Sequence, residues 1–195
     1  MIAGANLIGA GFIQTNRRHV MLTPPVGKRD HVIGPWNAKI VVVEYGDFEC
    51  PYCAAAEPVL RALRQALAGS LLFAFRHFPL AEAHPYALHA AEAAEAAGAQ
   101  GKFWEMHDCL FEHQDALEDE DLIDYAAEVG CNLDQFVNDM AENRYAARVR
   151  EDFLSGVRSG VNGTPTIFIN GLRYDGPRDL GSMLAAIEQI TALRA

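Results

Sequence analysis

The 195-residue chain carries 16 Lys and Arg against 26 Asp and Glu, a formal net charge of -10, and half of its residues are apolar. That length and apolar content fit one globular domain, or one domain with an insertion, and exclude global disorder. No basic stripe is present to neutralise phosphates, which argues against nucleic acid and anionic lipid as partners, and four cysteines are too sparse for a disulfide-built scaffold.

Residues 2–13 form a loosely apolar stretch, too short for a bilayer, which needs about 20 apolar residues, so no membrane insertion is expected. Arg17 and Arg18 follow that stretch, whereas a secretory signal places basic residues ahead of it. A cytoplasmic location is therefore expected ahead of a periplasmic one, and Met21 is a candidate translation start. The TPPVG run at 23–27 has linker chemistry, so residues 1–30 read as an N-terminal extension and linker, partly disordered. Residues 30–37, with Gly34 and Pro35, read as a turn into the first central strand.

The β-branched run IVVVEY at 40–45 predicts a strand buried on both faces. A helix follows over 50–67, with Leu60, Leu63 and Leu67 at helical spacing and Pro58 inside it, where a kink or a lost hydrogen bond is expected. Residues 71–78 (LLFAFRHF) predict a second strand, parallel to the first as in a βαβ unit. From 84 to 159 the pattern is helical throughout. Pro85 suits a first helical turn, Asp119 a helix start, and Asn132 with Gln135 a capping box. Strands return at 166–169 and 172–174, joined by Asn170-Gly171, a strong hairpin signal. A last helix covers 180–193, with Met183, Leu184, Ile187 and Ile190 on one face.

Cys50-Pro51-Tyr52-Cys53 lies where the first central strand delivers the chain to a helix N-terminus. Backbone N–H groups and the helix dipole favour negative charge there, so a thiol loses its proton more easily than at the free value of about 8.5. Cys50, at the helix start, reads as the nucleophile, and Cys53, one turn in, as the resolving thiol. Half a zinc site is the alternative, but the only nearby second pair, His84 and His89, sits in an alanine-rich helix without knuckle-like context. Asp47 and Glu49 place negative charge near the thiols, which is expected to raise the Cys50 pKa and give an intermediate reduction potential. Glu44, flanked by Val43 and Tyr45 in a buried strand, is expected to be desolvated with a raised pKa. Cys109 and Cys131 read as free cysteines, with a second disulfide as the alternative. Trp36, Phe103, Trp104 and Phe111 read as core.

A strand feeding Cys50-x-x-Cys53, with Gly163-Thr164-Pro165-Thr166 entering a hairpin downstream, resembles the thioredoxin superfamily, and the helical insertion between the two halves resembles its DsbA-like branch. The resemblance implies an α/β thioredoxin fold, β-α-β and β-β-α around one sheet, made of 31–80 and 160–195 with 81–159 as a helical insertion. It implies dithiol–disulfide exchange through Cys50 and Cys53, with Glu44 relaying protons to Cys53. It also implies that Thr164 and a cis Pro165 bind substrate together with Pro51 and Tyr52. No cofactor is expected beyond the Cys50/Cys53 disulfide and no metal. The expected partners are cysteine-containing proteins and a redox partner or glutathione, met by a monomer. The Pro-Tyr dipeptide is similar to that of glutaredoxins, which keeps a glutathione-linked reductase or transferase open; a non-catalytic peptide-binding or holdase module is the third reading.

Overall fold

The computed structural model describes residues 21–192; the apolar stretch at 2–13 and the expected end of the last helix at Leu193 lie outside the described residues. The chain runs β1 (His31–Ile33), β2 (Ile40–Gly46), α1 (Pro51–Ala66), β3 (Leu71–His77), α2 (Ala87–Gly98), α3 (Phe103–Glu112), α4 (Asp119–Glu128), α5 (Leu133–Ala141), α6 (Ala146–Arg158), β4 (Thr166–Ile169), β5 (Leu172–Tyr174) and α7 (Leu180–Ala192). The strands form one sheet in the order β1-β3-β2-β4-β5. β2 and β3 are parallel, and every other pairing is antiparallel. This is the mixed α/β thioredoxin fold with helices inserted between β3 and β4.

β2 is central, which explains its nearly unbroken apolar run: each face is covered. Ile40 and Val42 enter a large core with α1, α7 and the helices α2–α5, while Val43 and Tyr45 enter a smaller one with Phe78, Val161 and Phe168. Strand alternation places Glu44 on the same face as Val42, beneath α1. The Asn170-Gly171 hairpin forms as expected, with φ of 48° and 81° at the two positions, the left-handed pair that this short connection needs.

Several details depart from the sequence reading. Trp36, expected in the core, has 57% of its surface exposed, and α2 starts two residues after Pro85, which was expected in its first turn. Residues 31–33 form an edge strand on β3 where a turn was expected; its three residues are ordered by pairing His31 with Phe75 and Val32 with Ala74. The segment read as linker is tied down. Leu22 N–H donates to the Gly171 carbonyl and Thr23 N–H to the Ser159 hydroxyl. The carbonyls of Pro24 and Pro25 accept from the guanidinium of Arg76, itself buried and paired with Asp30 at 2.7 Å. The Thr23–Pro24 peptide bond is cis. In the insertion, α4 is capped by Glu118, which forms a capping box with Asp121, one residue before the expected start. Asn132 caps α5, its side chain accepting from Gln135 N–H.

Gly46, the last residue of β2, lets the chain turn into the site beneath an aromatic ring. A Cβ there would stand 2.3 Å from Phe75, a fully buried side chain. Gly46→Ala is expected to destabilise the fold by about 2 kcal/mol through overpacking. Urea unfolding would show this as a lower midpoint with an unchanged slope; an unchanged midpoint would contradict it.

Candidate active site

The end of β2 and the loop 47–49 set the two thiols. Cys50 is the N-cap of α1, and its N–H donates to the Asp47 carbonyl at 3.1 Å. Its own carbonyl accepts from Cys53 N–H and Ala54 N–H, and also from the Gln114 side chain at 2.9 Å. Gln114 holds the Phe48 carbonyl as well, at 2.7 Å, so one side chain from beyond α3 clamps the approach to the helix. Pro51 fits the first helical position, where its missing N–H costs nothing. Pro51 and Tyr52 face solvent, Tyr52 with 70% of its surface exposed. The helix runs through Pro58, which lies on its outer side.

The two sulfurs differ sharply in acidity. The hydrogen bond received from the Cys53 thiol lowers the Cys50 pKa to about 5, against the cost of burial, with Thr164 and the N–H groups of Tyr52 and Cys53 adding to it. Burial pushes Cys53 well above an ordinary thiol, and its hydrogen bond to Cys50 and the charge of Glu44 act in the same direction. Cys53 is wholly enclosed and Cys50 is 3% exposed. Both are free thiols. The backbone N–H groups anticipated from the helix start do contribute, but the neighbouring thiol contributes more.

The Cys50 pKa is lowered despite the nearby Asp47 and Glu49, neither of which is among the main influences on it. Both carboxylates are engaged elsewhere. Asp47, 2% exposed, accepts from Glu49 N–H at 2.9 Å, Leu80 N–H at 2.9 Å and His84 Nδ1 at 2.7 Å. Glu49 accepts from Tyr86 N–H at 2.6 Å. Burial acts to lower the His84 pKa, but the bond to Asp47 outweighs it and raises the group, with Cys50 and Glu49 adding to the rise. The negative charge near the thiols is therefore matched by an imidazole that spacing gave no reason to place there. His89, its partner in the zinc alternative, bonds Asp119 on the surface instead.

Glu44 is 1% exposed, and neither carboxyl oxygen has a hydrogen-bond partner. Burial raises its pKa to about 8, Glu57 pushes the same way, and Arg64 and Arg178 oppose. Across the groove, the Cys50 thiol lies 3.5 Å from the Thr164 carbonyl. The Thr164–Pro165 peptide bond is cis, and Arg178 donates to the Pro165 carbonyl at 3.0 Å. All seven residues singled out from the sequence thus converge on one end of the sheet or flank it. His84, Gln114, Glu57 and Arg178 were missed. Only their tertiary neighbours reveal them. Cys109 and Cys131 are free; burial raises Cys109 to about 11 and raises Cys131.

Among the described residues no helix is long and apolar enough to cross a membrane. A thioredoxin family model matches residues 27–189. Na(+)/H(+) antiporter NhaA 3 of Salinispora tropica is 48% identical over 167 residues, covering 86% of this chain and 26% of that protein. The chain thus spans about a quarter of the length of such curated relatives. Among solved structures, a thioredoxin-like oxidoreductase from Silicibacter pomeroyi superposes with a TM-score of 0.76 at 24% identity, covering 92% of this chain and 99% of that one. Oxidised BdbD from Bacillus subtilis gives 0.77 at 23%, covering 86% and 96%. Alpha-DsbA1 from Wolbachia pipientis gives 0.72 at 21%, covering 86% and 93%. These likenesses speak to the fold. With the family match over most of its length, the chain belongs to the thioredoxin superfamily and carries the DsbA-like form of its fold.

Proposed function

We propose that the protein performs dithiol–disulfide exchange with cysteine-containing proteins, as a monomer, with the Cys50/Cys53 pair as its own redox group. Cys50 attacks or is attacked, forming a mixed disulfide with the substrate sulfur. In the reducing direction Cys53 gives up its proton to Glu44 in its ionised form and attacks Cys50, releasing the substrate as a thiol and closing the disulfide. In the oxidising direction a second substrate thiol attacks the substrate sulfur of the mixed disulfide, forming the substrate disulfide and returning Cys50 and Cys53 to the dithiol. The substrate backbone pairs beside Thr164 and Pro165 as a short added strand, with Tyr52 and Pro51 flanking it. The observation that carries this reading is the asymmetry of the pair: one sulfur acidic and at the groove, the other enclosed and held protonated. Because the reduced form is stabilised when one thiol ionises readily, the favoured direction is oxidation of substrate thiols. This replaces the intermediate potential that the acidic neighbours had implied.

The test is the pH dependence of iodoacetamide alkylation of the reduced protein, followed by peptide mass spectrometry. Cys50 is expected to react with an apparent pKa near 5 and Cys53 to stay unmodified. A Cys53→Ser variant of the full chain should trap a mixed disulfide on Cys50 with a cysteine-containing peptide. Ionisation of Cys50 near 9, or no trapped adduct, would leave only the peptide-binding reading.

A further inference from the structure

We propose that Glu57 is the proton exit of the site, passing the proton of Glu44 to water in a cleft between α1 and α3. This rests on the reading of Glu44 as the acceptor of the Cys53 proton.

Glu44 poses a problem of access. Both of its oxygens are shut off from solvent and neither has a partner, so a proton on that carboxyl leaves only through a neighbouring group. The charged or titratable groups acting on it are Glu57, Arg64, Arg178 and Cys50, with Cys53 on the reacting side. An arginine holds its protons throughout and is no relay. Glu57 is the remaining carboxylate. It stands four residues after Cys53, one turn along the same buried face of α1. Its Oε1 is held by Arg64 at 2.7 Å and lies 3.5 Å from Arg61, while its Oε2 is buried without a partner. Arg64 Nη1 and His107 Nε2 are buried and unpartnered too. Five such atoms on four residues describe a polar chamber beneath α1, walled by the rings of Phe48, Phe75 and Phe111 around His107 and by Phe73 against Arg64.

The chamber has a mouth. Glu57, with Ala54, Pro58, Arg61, Phe111 and Glu112, lines an open cleft of about 350 Å³. Pro58 has no N–H to offer the Ala54 carbonyl, which leaves an acceptor for water at that wall. Beyond it, Arg61 bridges to Asp108 at 3.4 Å and Glu112 at 3.7 Å, both reaching solvent. On α3, His107 and Asp108 also lie close to Glu57, His107 bonded to Asp108 at 2.9 Å. In the exchange cycle Glu44, protonated at rest near neutral pH, first passes its proton to the Glu57 carboxyl, which releases it to cleft water. The ionised Glu44 then takes the proton leaving the Cys53 sulfur. The electron pair left on sulfur forms the new S–S bond, and the departing substrate sulfur takes up a proton from bulk water. No other reactant is needed.

The experiment treats the reduced full chain with dithiobis-nitrobenzoate. The first thionitrobenzoate released reports attack by Cys50, and the second reports closure by Cys53. Cys109 and Cys131, both less acidic than an ordinary thiol, react more slowly. In Glu57→Gln the first release is expected to be unchanged and the second slowed about tenfold or more near neutral pH. In Glu57→Ala, acetate should restore the second release while chloride at equal ionic strength does not, a rescue that a merely structural role would not give. A second release at the wild-type rate in Glu57→Gln, equal slowing of both releases, or no difference between acetate and chloride would overturn the exit. Glu44→Gln separates the two ideas: if it leaves the second release unchanged, the role of Glu44 falls and takes the exit with it. If it slows that release while Glu57→Gln does not, the exit alone fails.

Discussion

Replacing Glu44 with glutamine is expected to stabilise the reduced protein by roughly 3 kcal/mol at pH 7, while slowing disulfide closure on the order of 10²-fold. Both effects come from the same buried carboxyl. In the unfolded chain it ionises near 4.5; in the folded protein, burial holds it protonated up to about 8. Below pH 4.5 both states keep the proton and the group is neutral to stability. Between 4.5 and 8 only the folded state keeps it, so the wild type loses about 1.4 kcal/mol per pH unit from this residue. Above 8 the loss levels off. Glutamine does not titrate, so urea unfolding curves of the two proteins should coincide near pH 4 and separate steadily up to pH 8. A constant offset across that range would mean that Glu44 ionises like an exposed glutamate. The loss of closure rate has the same origin, because Glu44 can ionise near neutral pH and then take the proton of Cys53, and glutamine cannot. A residue that destabilises the fold and speeds the chemistry is what a site kept for its reactivity looks like.

The core of this site was legible because it is local. Glu44, Cys50 and Cys53 fall within ten residues, on one strand, one turn and one helix start, so a periodicity of two followed by one of 3.6 places them relative to each other. The Asn170-Gly171 hairpin was legible for a similar reason, since turn chemistry specifies it without outside help. The strand β1 was not: three residues next to Gly34 and Pro35 have no pattern of their own, and only the pairing with β3 orders them. Pro24 and Pro25 read as a linker by composition, but their carbonyls are bound by Arg76, a strand residue more than fifty positions away whose burial no pattern announced. The weight of Asp47 at the thiol was overestimated because its charge was counted without its partners. Its oxygens spend themselves on two backbone N–H groups and an imidazole that comes from the insertion. Gln114 and Glu57 belong to the same class. Each matters through a contact that exists only once the inserted helices pack over α1, and that packing leaves no local trace in the chain.

Asp47→Asn is expected to lower the melting temperature by roughly 6–12 °C, from a loss of about 3 kcal/mol. The carboxylate offers two acceptor oxygens to three donors, Glu49 N–H, Leu80 N–H and His84 Nδ1. An amide keeps one oxygen and turns an NH₂ group toward N–H donors that have no other partner, which strands buried polar groups on both sides. The effect should also depend on pH. Asp47 raises the folded-state pKa of His84 above 6.5, so the stability from that pair is fully present below 6.5 and is lost as the pH rises through the folded value. The deficit of the variant should therefore be larger near pH 6 than near pH 9. The thiol should respond as well, because His84 and Cys50 act on one another. With the imidazolium less favoured, the pH midpoint of Cys50 alkylation should move upward from about 5. His84→Ala isolates this electrostatic part: it should shift the alkylation midpoint in the same direction while leaving the two backbone bonds of Asp47 in place. If Asp47→Asn were as stable as the wild type at pH 6, or left the Cys50 midpoint where it was, the loop between β2 and α1 would be held by its backbone alone and the inserted helices would have no part in setting the thiol.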